Sequence, residues 1–304
     1  MYELMIVGAG SAGLSAAVYA ARKKLDALLI SANIGGQINW TMGVENYLGY
    51  QFIEGPELIE KFQTQVSQYP LEQKIGHTIS TVSSIDGGFE VITEEGESFQ
   101  SKTLVVTTGK RPRRLNVPGE EEYTGKGVTY CSICDGPVFA GQRVAVVGGG
   151  NSALEAALDM VKIADHVDLV SLTQLTGDPV LMDKVNATEN VDTFLEYQTE
   201  AIEGDTFITG MQIKDIKSGE EKRLDVSGIF IEIGLEPNSE PVRGLVELNE
   251  RGEILVNQSC ETNVPALFAA GDVTNVPDKQ IIIAAGEGAK AALQAHRYLQ
   301  RMVE

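Results

Sequence analysis

The sequence predicts an α/β fold that consists of two Rossmann-like (three-layer ββα) dinucleotide-binding domains, the second inserted into the first. Two observations predict the fold class: apolar strand segments alternate with helical segments, and a glycine-rich fingerprint occurs twice, each time between a strand and a helix. A third observation predicts the insertion, because linker-like segments lie on both sides of the second fingerprint.

The composition narrows the class of protein further. The chain has 304 residues, of which 43% are hydrophobic and 22% charged, values typical of a folded protein with two domains. Its net charge of −19 argues against binding to nucleic acid or to an anionic membrane. It has three cysteines and no apolar run of the roughly 18 residues that a membrane span needs, so we expect a cytoplasmic protein without a disulfide framework.

The first fingerprint is Gly8-Ala-Gly10-Ser11-Ala12-Gly13, which lies between an apolar strand at residues 4–7 and a helix at residues 14–22, with a further strand at residues 27–30. In such a unit the first glycine permits a tight turn and the second lets a pyrophosphate approach the backbone. The third glycine permits close packing of helix and strand. The free N–H groups at the start of the helix then face the phosphates.

The second fingerprint is Gly148-Gly-Gly150-Asn151-Ser152-Ala153, between a strand at residues 144–147 and a helix at residues 154–164, with a strand at 167–172. Each fingerprint is followed by a polar turn between predicted strands and then by an apolar strand that ends in glycine, at Gly109 and Gly234. We expect the segments around these turns to form antiparallel hairpins that cover parallel sheets.

The predicted linkers are residues 110–119 and 236–241, which are rich in charge and proline. We therefore predict a first domain made of residues 1–114 and 243–304. The second domain is predicted at residues 115–242.

The sharpest chemical feature is Cys131-Ser-Ile-Cys134-Asp135-Gly136. Two thiols at this spacing can close a small ring and exchange with an external disulfide. Half of a zinc site has the same spacing, but no second pair of ligands stands at the spacing that zinc requires, so we predict no metal. Asp135 is either a proton donor and acceptor for the thiols or a turn residue before the glycine. Two nucleotide sites and a redox dithiol together suggest an electron relay from a donor through a flavin to the cysteines.

The order of these motifs resembles the low-molecular-weight thioredoxin reductases over essentially the whole chain. The resemblance rests on both fingerprints, on the Cys-Ser-Ile-Cys-Asp-Gly motif inside the second domain, and on Gly35-Gly-Gln37, Glu45-Asn46, Thr107-Thr-Gly109 and Ala270-Gly-Asp272.

The resemblance implies FAD in the discontinuous first domain. It assigns the pyrophosphate to Gly8, Gly10, Ser11, Ala12 and Gly13, the isoalloxazine surroundings to Gln37 and Asn46, the ribitol or phosphate arm to Asp272, and backbone contacts near the flavin carbonyls to Gln280 and Ile281. The implied cofactor-binding set also contains Gly36, Thr108, Gly109, Gly271 and Lys279.

The resemblance also implies roles for the redox residues. Cys134 would face the flavin, Cys131 would attack the disulfide of a thioredoxin- or glutaredoxin-like protein, and Asp135 would be the acid and base. A homodimer and a rotation of one domain against the other at the two linkers are implied as well. The length of the chain leads us to expect that the disulfide partner is a separate protein.

The donor site departs from the family. Residues 171–178, Ser-Leu-Thr-Gln-Leu-Thr-Gly-Asp, contain neither the basic residues that hold the 2′-phosphate of NADPH nor an acid directly at the strand end. NADPH is therefore expected to bind poorly. Two donors remain open: NADH, which Gly148, Gly150, Asn151, Ser152 and Ala153 could hold, and a non-nicotinamide carrier such as ferredoxin.

Residues 126–171 and 260–297 resemble the flavoprotein subunit of alkyl hydroperoxide reductase, which prefers NADH but has Glu at the position of Ser171. An NADH-dependent reductase of a peroxiredoxin system is therefore an alternative function. A flavin-binding redox sensor without turnover is an alternative of another class.

Lys110, Arg111, Arg113 and Arg114 form a dense basic cluster in an acidic chain. The cluster is either a solvated linker or a docking surface for an acidic carrier such as ferredoxin. Cys260 has no nearby partner in sequence, and we interpret it as a buried structural residue.

Overall fold

A computed structural model describes residues 1–41 and 43–303, so that Met42, Glu304 and the side chain of Val303 lie outside the description. The strands are β1 Tyr2–Ala9, β2 Ala27–Ile34, β3 Glu72–Ile75, β4 Ile79–Ile85, β5 Gly88–Thr93, β6 Ser98–Val106, β7 Lys110–Pro112, β8 Val128–Thr129, β9 Arg143–Val147, β10 His166–Ser171, β11 Val191–Leu195, β12 Tyr197–Gly204, β13 Ile208–Asp215, β14 Glu221–Leu224, β15 Gly228–Ile231, β16 Leu235–Pro237 and β17 Leu267–Ala269.

The α-helices are α1 Ser11–Arg22, α2 Gly55–Ser67, α3 Ser132–Asp135, α4 Asn151–Met160, α5 Pro179–Asn186 and α6 Ile281–Val303, and short 3₁₀ helices occupy Gly36–Trp40, Gly136–Phe139 and Glu240–Val242. The helix after the second fingerprint was predicted at residues 154–164. It begins earlier, directly after Gly150, and ends at Met160, where the chain turns and the Ile163 carbonyl accepts the N–H of Gly141 at 2.9 Å.

The chain divides into two compact units. The first consists of Met1–Asn39, Pro56–Arg111 and 236–303, and the second of Trp40–Gly55 and Pro112–Leu235. Strands β7 and β16, which lie in the two predicted linkers, pair with each other as a separate two-stranded sheet.

The first unit is built on a seven-stranded sheet in the order β3-β2-β1-β6-β5-β4, with β17 also paired to β6. The pairs β2–β3, β1–β2, β1–β6 and β6–β17 are parallel, whereas β4, β5 and the start of β6 are antiparallel. The first predicted hairpin is therefore part of the main sheet, not a separate cover layer. Strand β6, nine residues long, pairs with β5 through its first half and with β1 through its second.

Side chains of β1 alternate between two cores, as expected for a strand buried on both faces. Leu4 and Ile6 pack with residues of α1 and α6. Met5 and Val7 pack on the opposite face with residues from β4, β5 and the segment that follows β16. The carboxyl end of β1, where the first fingerprint begins, is thus buried on both faces of the sheet.

The second unit repeats the plan with a five-stranded sheet in the order β11-β10-β9-β15-β8, whose described pairs are all parallel. Val144 and Val146 of β9 pack with α4, whereas Ala145 and Val147 pack toward the separate antiparallel sheet β12-β13-β14. Here the predicted hairpin does form a cover layer. Among the described residues, no helix is both long and apolar enough to cross a membrane.

Candidate redox and cofactor sites

The first fingerprint forms a tight turn between β1 and α1. Gly8 has φ +106°, and a Cβ built on it would lie 2.4 Å from the Thr107 carbonyl oxygen; a Cβ on Gly13 would lie 1.8 Å from the Gly8 oxygen. A Cβ on Gly10, in contrast, would have no atom within 4 Å. The turn thus has two positions that packing restricts to glycine and one that faces open space, as a site for a pyrophosphate requires.

Two threonines after β6 support this turn. The Thr107 hydroxyl donates to the carbonyl oxygen of Gly8 at 2.8 Å, and the Thr108 hydroxyl donates to that of Asn238 at 2.7 Å. Gly109 follows with φ +67°, a conformation that favours glycine, and its carbonyl oxygen accepts the N–H of Asn238 at 2.9 Å. Thr108 and Gly109 therefore both contact Asn238 within the first unit.

Gln37 and Asp272 meet in the first unit although they are far apart in sequence. The Gln37 amide lies 3.4 Å from an Asp272 carboxylate oxygen. A Cβ built on the adjacent Gly36 would have only the Gly10 Cα within 4 Å, at 3.9 Å. Burial raises the pKa of Asp272, while the nearby charges of Lys279 and Lys110 lower it. Asp272 is thus held in a desolvated position where a hydroxyl or amide of a bound ligand would complete its hydrogen bonds.

Three further predicted residues lie at the start of α6 or in contact with that helix. Gly271 donates its N–H to the Glu287 carboxylate at 3.0 Å, and Ile281 is the first residue of the helix. Gln280 precedes it, and its carbonyl oxygen accepts the N–H of Ala284 at 2.9 Å. The backbone N–H groups of the first turn therefore point out of the helix start, which is a suitable donor set for carbonyl oxygens.

Lys279 belongs to a buried charge network that sequence reasoning missed. Its ammonium donates to the Thr274 carbonyl oxygen at 2.6 Å and lies 3.2 Å from Glu253, which also pairs with Lys110 at 2.5 Å. Burial alone would raise the pKa of Glu253, but hydrogen bonds from Lys110 and Asn249 and the charge of Lys279 lower it to about 2. The side chains of Lys110 and Glu253 are only 8% and 9% exposed.

The basic cluster is therefore not a single solvated surface. Lys110 points into the first unit, and Arg111 forms ion pairs with Glu236 at 3.2 Å and Glu240 at 2.8 Å. Both interpretations that treated the four basic residues as one exposed group were wrong for Lys110. The reason is that its partner, Glu253, lies 143 positions further along the chain.

Ser11, Ala12 and Asn46 complete the predicted cofactor set. Ser11 and Ala12 are buried in the first turn of α1, where Ala12 lies 3.1 Å from the position of a Cβ on Gly271. Asn46 is exposed and lies in Trp40–Gly55, a segment of the second unit. The structure thus gathers the other predicted residues in the first unit but places Asn46 outside it.

The second fingerprint has the same construction as the first. Gly148 has φ +148°, and a Cβ on it would lie 2.4 Å from the Glu232 carbonyl oxygen and 2.9 Å from the Cβ of Ala153. A Cβ on Gly150 would have no atom within 4 Å, and Asn151 and Ser152 are exposed. A second phosphate could therefore approach the start of α4.

The loop after β10 is fastened to this turn. Thr176 donates its N–H to the Gly149 carbonyl oxygen at 2.7 Å. Asp178 donates its N–H to the Asn151 side chain at 2.7 Å, and its carboxylate accepts from the Asn151 amide at 3.1 Å. The loop thus brings a carboxylate, and no lysine or arginine of its own, to the start of α4.

The redox cysteines lie at the start of the four-residue helix α3 and are joined by a disulfide. Cys131 is the N-cap, and its sulfur accepts the N–H of Cys134 at 3.2 Å. Both cysteines are half-buried, whereas Ile133 between them is 60% exposed. A disulfide on an exposed turn with a backbone donor on one sulfur can exchange with an external thiol, because a thiolate there would be stabilised.

Asp135 is buried at the end of α3, with 1% of its surface exposed. The Thr129 hydroxyl donates to its carboxylate, and its own N–H donates to the Cys131 carbonyl oxygen at 3.1 Å. Asp135 is therefore firmly held one residue after Cys134.

Glu232 is a second acidic residue near the cysteines, and sequence reasoning did not single it out. It follows β15 in the apolar segment Gly-Ile-Phe-Ile-Glu-Ile-Gly, where a lone charge was the available signal. Burial raises the pKa of Glu232 to about 7, a backbone hydrogen bond from Ser132 lowers it, and the charge of Glu155 raises it.

Cys260 is buried in the core of the first unit, and its thiol lies 3.7 Å from the Glu287 carbonyl oxygen. Burial raises the pKa of Cys260 to about 11, so it stays a neutral thiol. The structural interpretation of Cys260 is in agreement with this environment.

Comparison with known proteins supports the redox assignment. A family model described as pyridine nucleotide-disulphide oxidoreductase matches residues 2–294. An alkyl hydroperoxide reductase subunit of Escherichia coli (strain K12) is 44% identical over 305 residues, which cover 99% of this chain and 58% of the relative. The chain therefore spans less than two thirds of that relative's length.

Solved structures of thioredoxin reductases are similar over the whole chain. The enzyme from Streptococcus pyogenes MGAS5005 is 35% identical, with a TM-score of 0.93 and coverage of 99% of both chains. The enzyme from Giardia duodenalis is 32% identical, with a TM-score of 0.90 and coverage of 98% of this chain and 99% of the other. The predicted fold class and the predicted resemblance are both confirmed.

Proposed function

Because the chain belongs to the pyridine nucleotide-disulphide oxidoreductase family, we propose that it is an FAD-dependent protein-disulfide reductase of the thioredoxin reductase type. In this function, electrons pass from a donor through FAD to the Cys131–Cys134 disulfide and then to the disulfide of a thioredoxin- or glutaredoxin-like protein. The observation that carries the proposal is the Cys131–Cys134 disulfide at a short helix on which Ile133, between the cysteines, is exposed.

The first unit supports FAD as the bound cofactor. Gly10 leaves the backbone open to a pyrophosphate, Asp272 is a desolvated carboxylate for the ribitol or phosphate arm, and the start of α6 offers backbone donors at Gln280 and Ile281. When bound, FAD supplies the exchange of two electrons with a disulfide. The residues that would hold it are those named above as the predicted cofactor set, all of which except Asn46 lie in the first unit.

The dithiol residues divide the work as the resemblance implies. Cys134 is the cysteine that would face the bound flavin, and Cys131 is the one that would attack the partner's disulfide. Asp135, held by Thr129, moves the proton that accompanies thiol exchange. The two steps need different surroundings of the cysteines, so we propose that domain 115–242 rotates on the linkers against a domain made of 1–114 and 243–304, in a homodimer.

The donor is proposed to be NADH or a non-nicotinamide carrier such as ferredoxin, not NADPH. Gly150 leaves room for a pyrophosphate at the start of α4, which supports a dinucleotide. The Asp178 carboxylate at the same helix and the absence of lysine and arginine from residues 171–178 disfavour a 2′-phosphate.

A second candidate is an NADH-dependent reductase of a peroxiredoxin system. It is favoured by the 44% identity to the alkyl hydroperoxide reductase relative. A flavin redox sensor without turnover is disfavoured by the intact Cys131, Cys134 and Asp135 arrangement.

The experiment is anaerobic mixing of the flavin-loaded protein with NADH, NADPH or reduced ferredoxin, followed through the visible absorbance of the flavin. Reoxidation by thioredoxin, glutaredoxin or peroxiredoxin, each added separately, identifies the partner class. If no donor bleaches the flavin and no partner reoxidises chemically reduced enzyme, the disulfide reductase function is excluded.

Cys134→Ser gives a first specific prediction. We expect it to abolish electron transfer to the partner while the donor still reduces the flavin, because the link between flavin and Cys131 is removed. The matched control is Cys260→Ser, which should retain partner reduction. Retained partner reduction in Cys134→Ser would contradict the relay.

A further inference from the structure

Each glycine turn accepts one N–H from the loop that follows the next strand of its sheet. In the first unit, Gly35 after β2 donates its N–H to the carbonyl oxygen of Ala9, the second residue of the turn, at 2.8 Å. In the second unit, Thr176 in the loop after β10 donates its N–H to the carbonyl oxygen of Gly149, again the second residue, at 2.7 Å. Gly35 and Thr176 therefore hold equivalent positions, and the residues that follow them can be compared directly.

The next residue is a glycine in both units, but its surroundings differ. A Cβ built on Gly36 would have only the Gly10 Cα within 4 Å, at 3.9 Å. A Cβ built on Gly177 would lie 2.4 Å from Cδ1 of Leu154, 2.8 Å from the side-chain oxygen of Asn151 and 3.2 Å from the backbone nitrogen of Asn151. Asn151 is the first residue of α4, so Gly177 lies directly against the start of that helix, whereas Gly36 leaves the first turn open.

Asp178 adds a negative charge at the same place. Its N–H donates to the side-chain oxygen of Asn151 at 2.7 Å, and its carboxylate accepts from the Asn151 amide at 3.1 Å. Asp178 is the N-cap of α5, where an aspartate ordinarily accepts an N–H from its own helix, but its side chain makes no such bond. The carboxylate is directed instead to the start of α4, where the free N–H groups and the helix dipole favour an anion.

The two units therefore offer a pyrophosphate different approaches. In the first unit the residue after the glycine is Gln37, a neutral side chain that lies 3.4 Å from Asp272. In the second unit Gly150 leaves its own backbone open, but a phosphate that bonds to the first turn of α4 has to approach past Gly177 and Asp178. The chain thus covers the start of α4 and places there the kind of charge that a phosphate would bring.

We propose that Gly177 and Asp178 are specificity-determining residues for the electron donor, which cover the start of α4 and lower its affinity for the pyrophosphate of a nicotinamide nucleotide. The inference rests on the proposed function, in which the second unit is the site of a nucleotide donor. It differs from the missing contacts to the 2′-phosphate, which discriminate between NADPH and NADH. Gly177 and Asp178 act on the pyrophosphate, which both nucleotides share, and have no such effect on a donor that lacks it.

The test is the dissociation constant of ADP-ribose from oxidised, flavin-loaded protein, measured by isothermal titration calorimetry. ADP-ribose carries the pyrophosphate but no nicotinamide, so its binding transfers no electrons, and bound FAD excludes it from the first unit. The measurement needs no donor, partner or turnover. Its failure is therefore distinguishable from failure of the proposed function. The 2′-phosphate derivative of ADP-ribose is titrated in parallel.

Asp178→Asn keeps the size and hydrogen-bonding capacity of the side chain and removes its charge. We expect it to strengthen binding of both ligands by about threefold or more, because the carboxylate no longer competes at the helix start. The matched control is Asp183→Asn, which removes the same charge from an exposed position on α5 and should leave both constants nearly unchanged. Equal gains in the two variants, no gain in Asp178→Asn, or a gain confined to the 2′-phosphate derivative would overturn the proposal.

Gly177→Ala tests the covering of the helix start separately from the charge. Its methyl group would meet Leu154 and Asn151, so the loop has to move away from α4. We expect ADP-ribose to bind about threefold or more tightly, because the fraction of molecules with an open helix start rises. Unchanged or weaker binding in a variant that retains flavin and melting temperature would overturn the covering role. If Gly177→Ala does not fold, Asp178→Asn decides the proposal.

Discussion

Lys110 is a residue whose environment in the structure differs from the one that its sequence context predicts. In sequence it opens a basic segment that is typical of a solvated linker. In the structure its ammonium is buried against Glu253, and Lys279 joins the same carboxylate. Removing one member of such a network leaves a buried charge with fewer partners, which costs more than the intact pair contributes.

We therefore predict that Lys110→Met lowers the free energy of unfolding by about 2 kcal/mol or more, since Glu253 would remain buried with one cation fewer. The matched control is Arg111→Met, whose ion pairs are close to half exposed and which should change stability by about 0.5 kcal/mol or less. Urea unfolding at neutral pH measures both. Equal effects of the two substitutions would contradict the assignment.

Substitutions at two glycines of the first fingerprint are expected to have opposite effects on stability and on FAD binding. A Cβ at Gly13 would meet the Gly8 carbonyl oxygen at 1.8 Å, whereas a side chain at Gly10 enters open space. Gly13→Ala is expected to lower the free energy of unfolding of the flavin-free protein by about 2 kcal/mol or more. Gly10→Val is expected to leave that stability within about 0.5 kcal/mol and to weaken FAD binding by about tenfold or more, because it fills the phosphate position.

Unfolding of flavin-free protein and titration with FAD measure these two effects separately. If Gly10→Val binds FAD as tightly as the unsubstituted protein, the phosphate position has been placed wrongly.

At the scale of elements, the strand, turn and helix at each fingerprint could be predicted because the sequence pattern that specifies them is local. Gly8, Gly10 and Gly13 specify their own turn within six positions, and the apolar runs on both sides specify the strand and helix. The end of α4 was mispredicted because apolar residues continue to Ala164 while the chain has already turned. The periodic pattern of side chains does not record such a turn.

Glu232 and the Lys110–Glu253 pair could not be predicted in the same way. Their burial depends on strands and loops that are brought together by the sheet, not by neighbours in sequence. For Asn46 the sequence motif predicted a contact that the described structure does not place in the first unit. Its motif suggests the cofactor site, but its segment packs with the second unit.

The loop after β10 is the element that sets the donor prediction. Leu172 and Thr173 are exposed directly after the strand, at the positions where a Rossmann unit selects its nucleotide. We predict that Leu172→Arg/Thr173→Arg strengthens NADPH binding by about tenfold or more with little effect on NADH, because two cations would face the 2′-phosphate.

Dissociation constants measured by titration of both nucleotides test this element. Val180→Arg, on the exposed start of α5, adds a positive charge outside the strand end and should leave both constants nearly unchanged. An equal gain for NADPH in that control would assign the effect to overall charge.

At the scale of the whole molecule, the net charge of −19 decides how partners approach. Arg111 is neutralised by Glu236 and Glu240, and Lys110 is buried, so half of the basic cluster is not available to an acidic carrier. Long-range repulsion between acidic proteins is screened by salt.

We therefore predict that the rate of flavin reduction by an acidic ferredoxin rises as ionic strength increases from low values. Stopped-flow measurements over a range of salt concentrations test the prediction, with a neutral chemical reductant as the control. A rate that falls with added salt would indicate attraction and would restore the basic cluster as a docking surface.

The two glycine turns also match in the backbone that closes over them. In each unit, a Cβ on the first glycine would meet a carbonyl oxygen at 2.4 Å, that of Thr107 in one and of Glu232 in the other. Thr107 directly follows β6 and Glu232 directly follows β15, so the two residues hold equivalent positions beside their turns. In the first unit the hydroxyl at this position donates to the Gly8 carbonyl oxygen. In the second unit the same position carries a carboxyl group, so that one backbone position presents a different chemical group beside each turn.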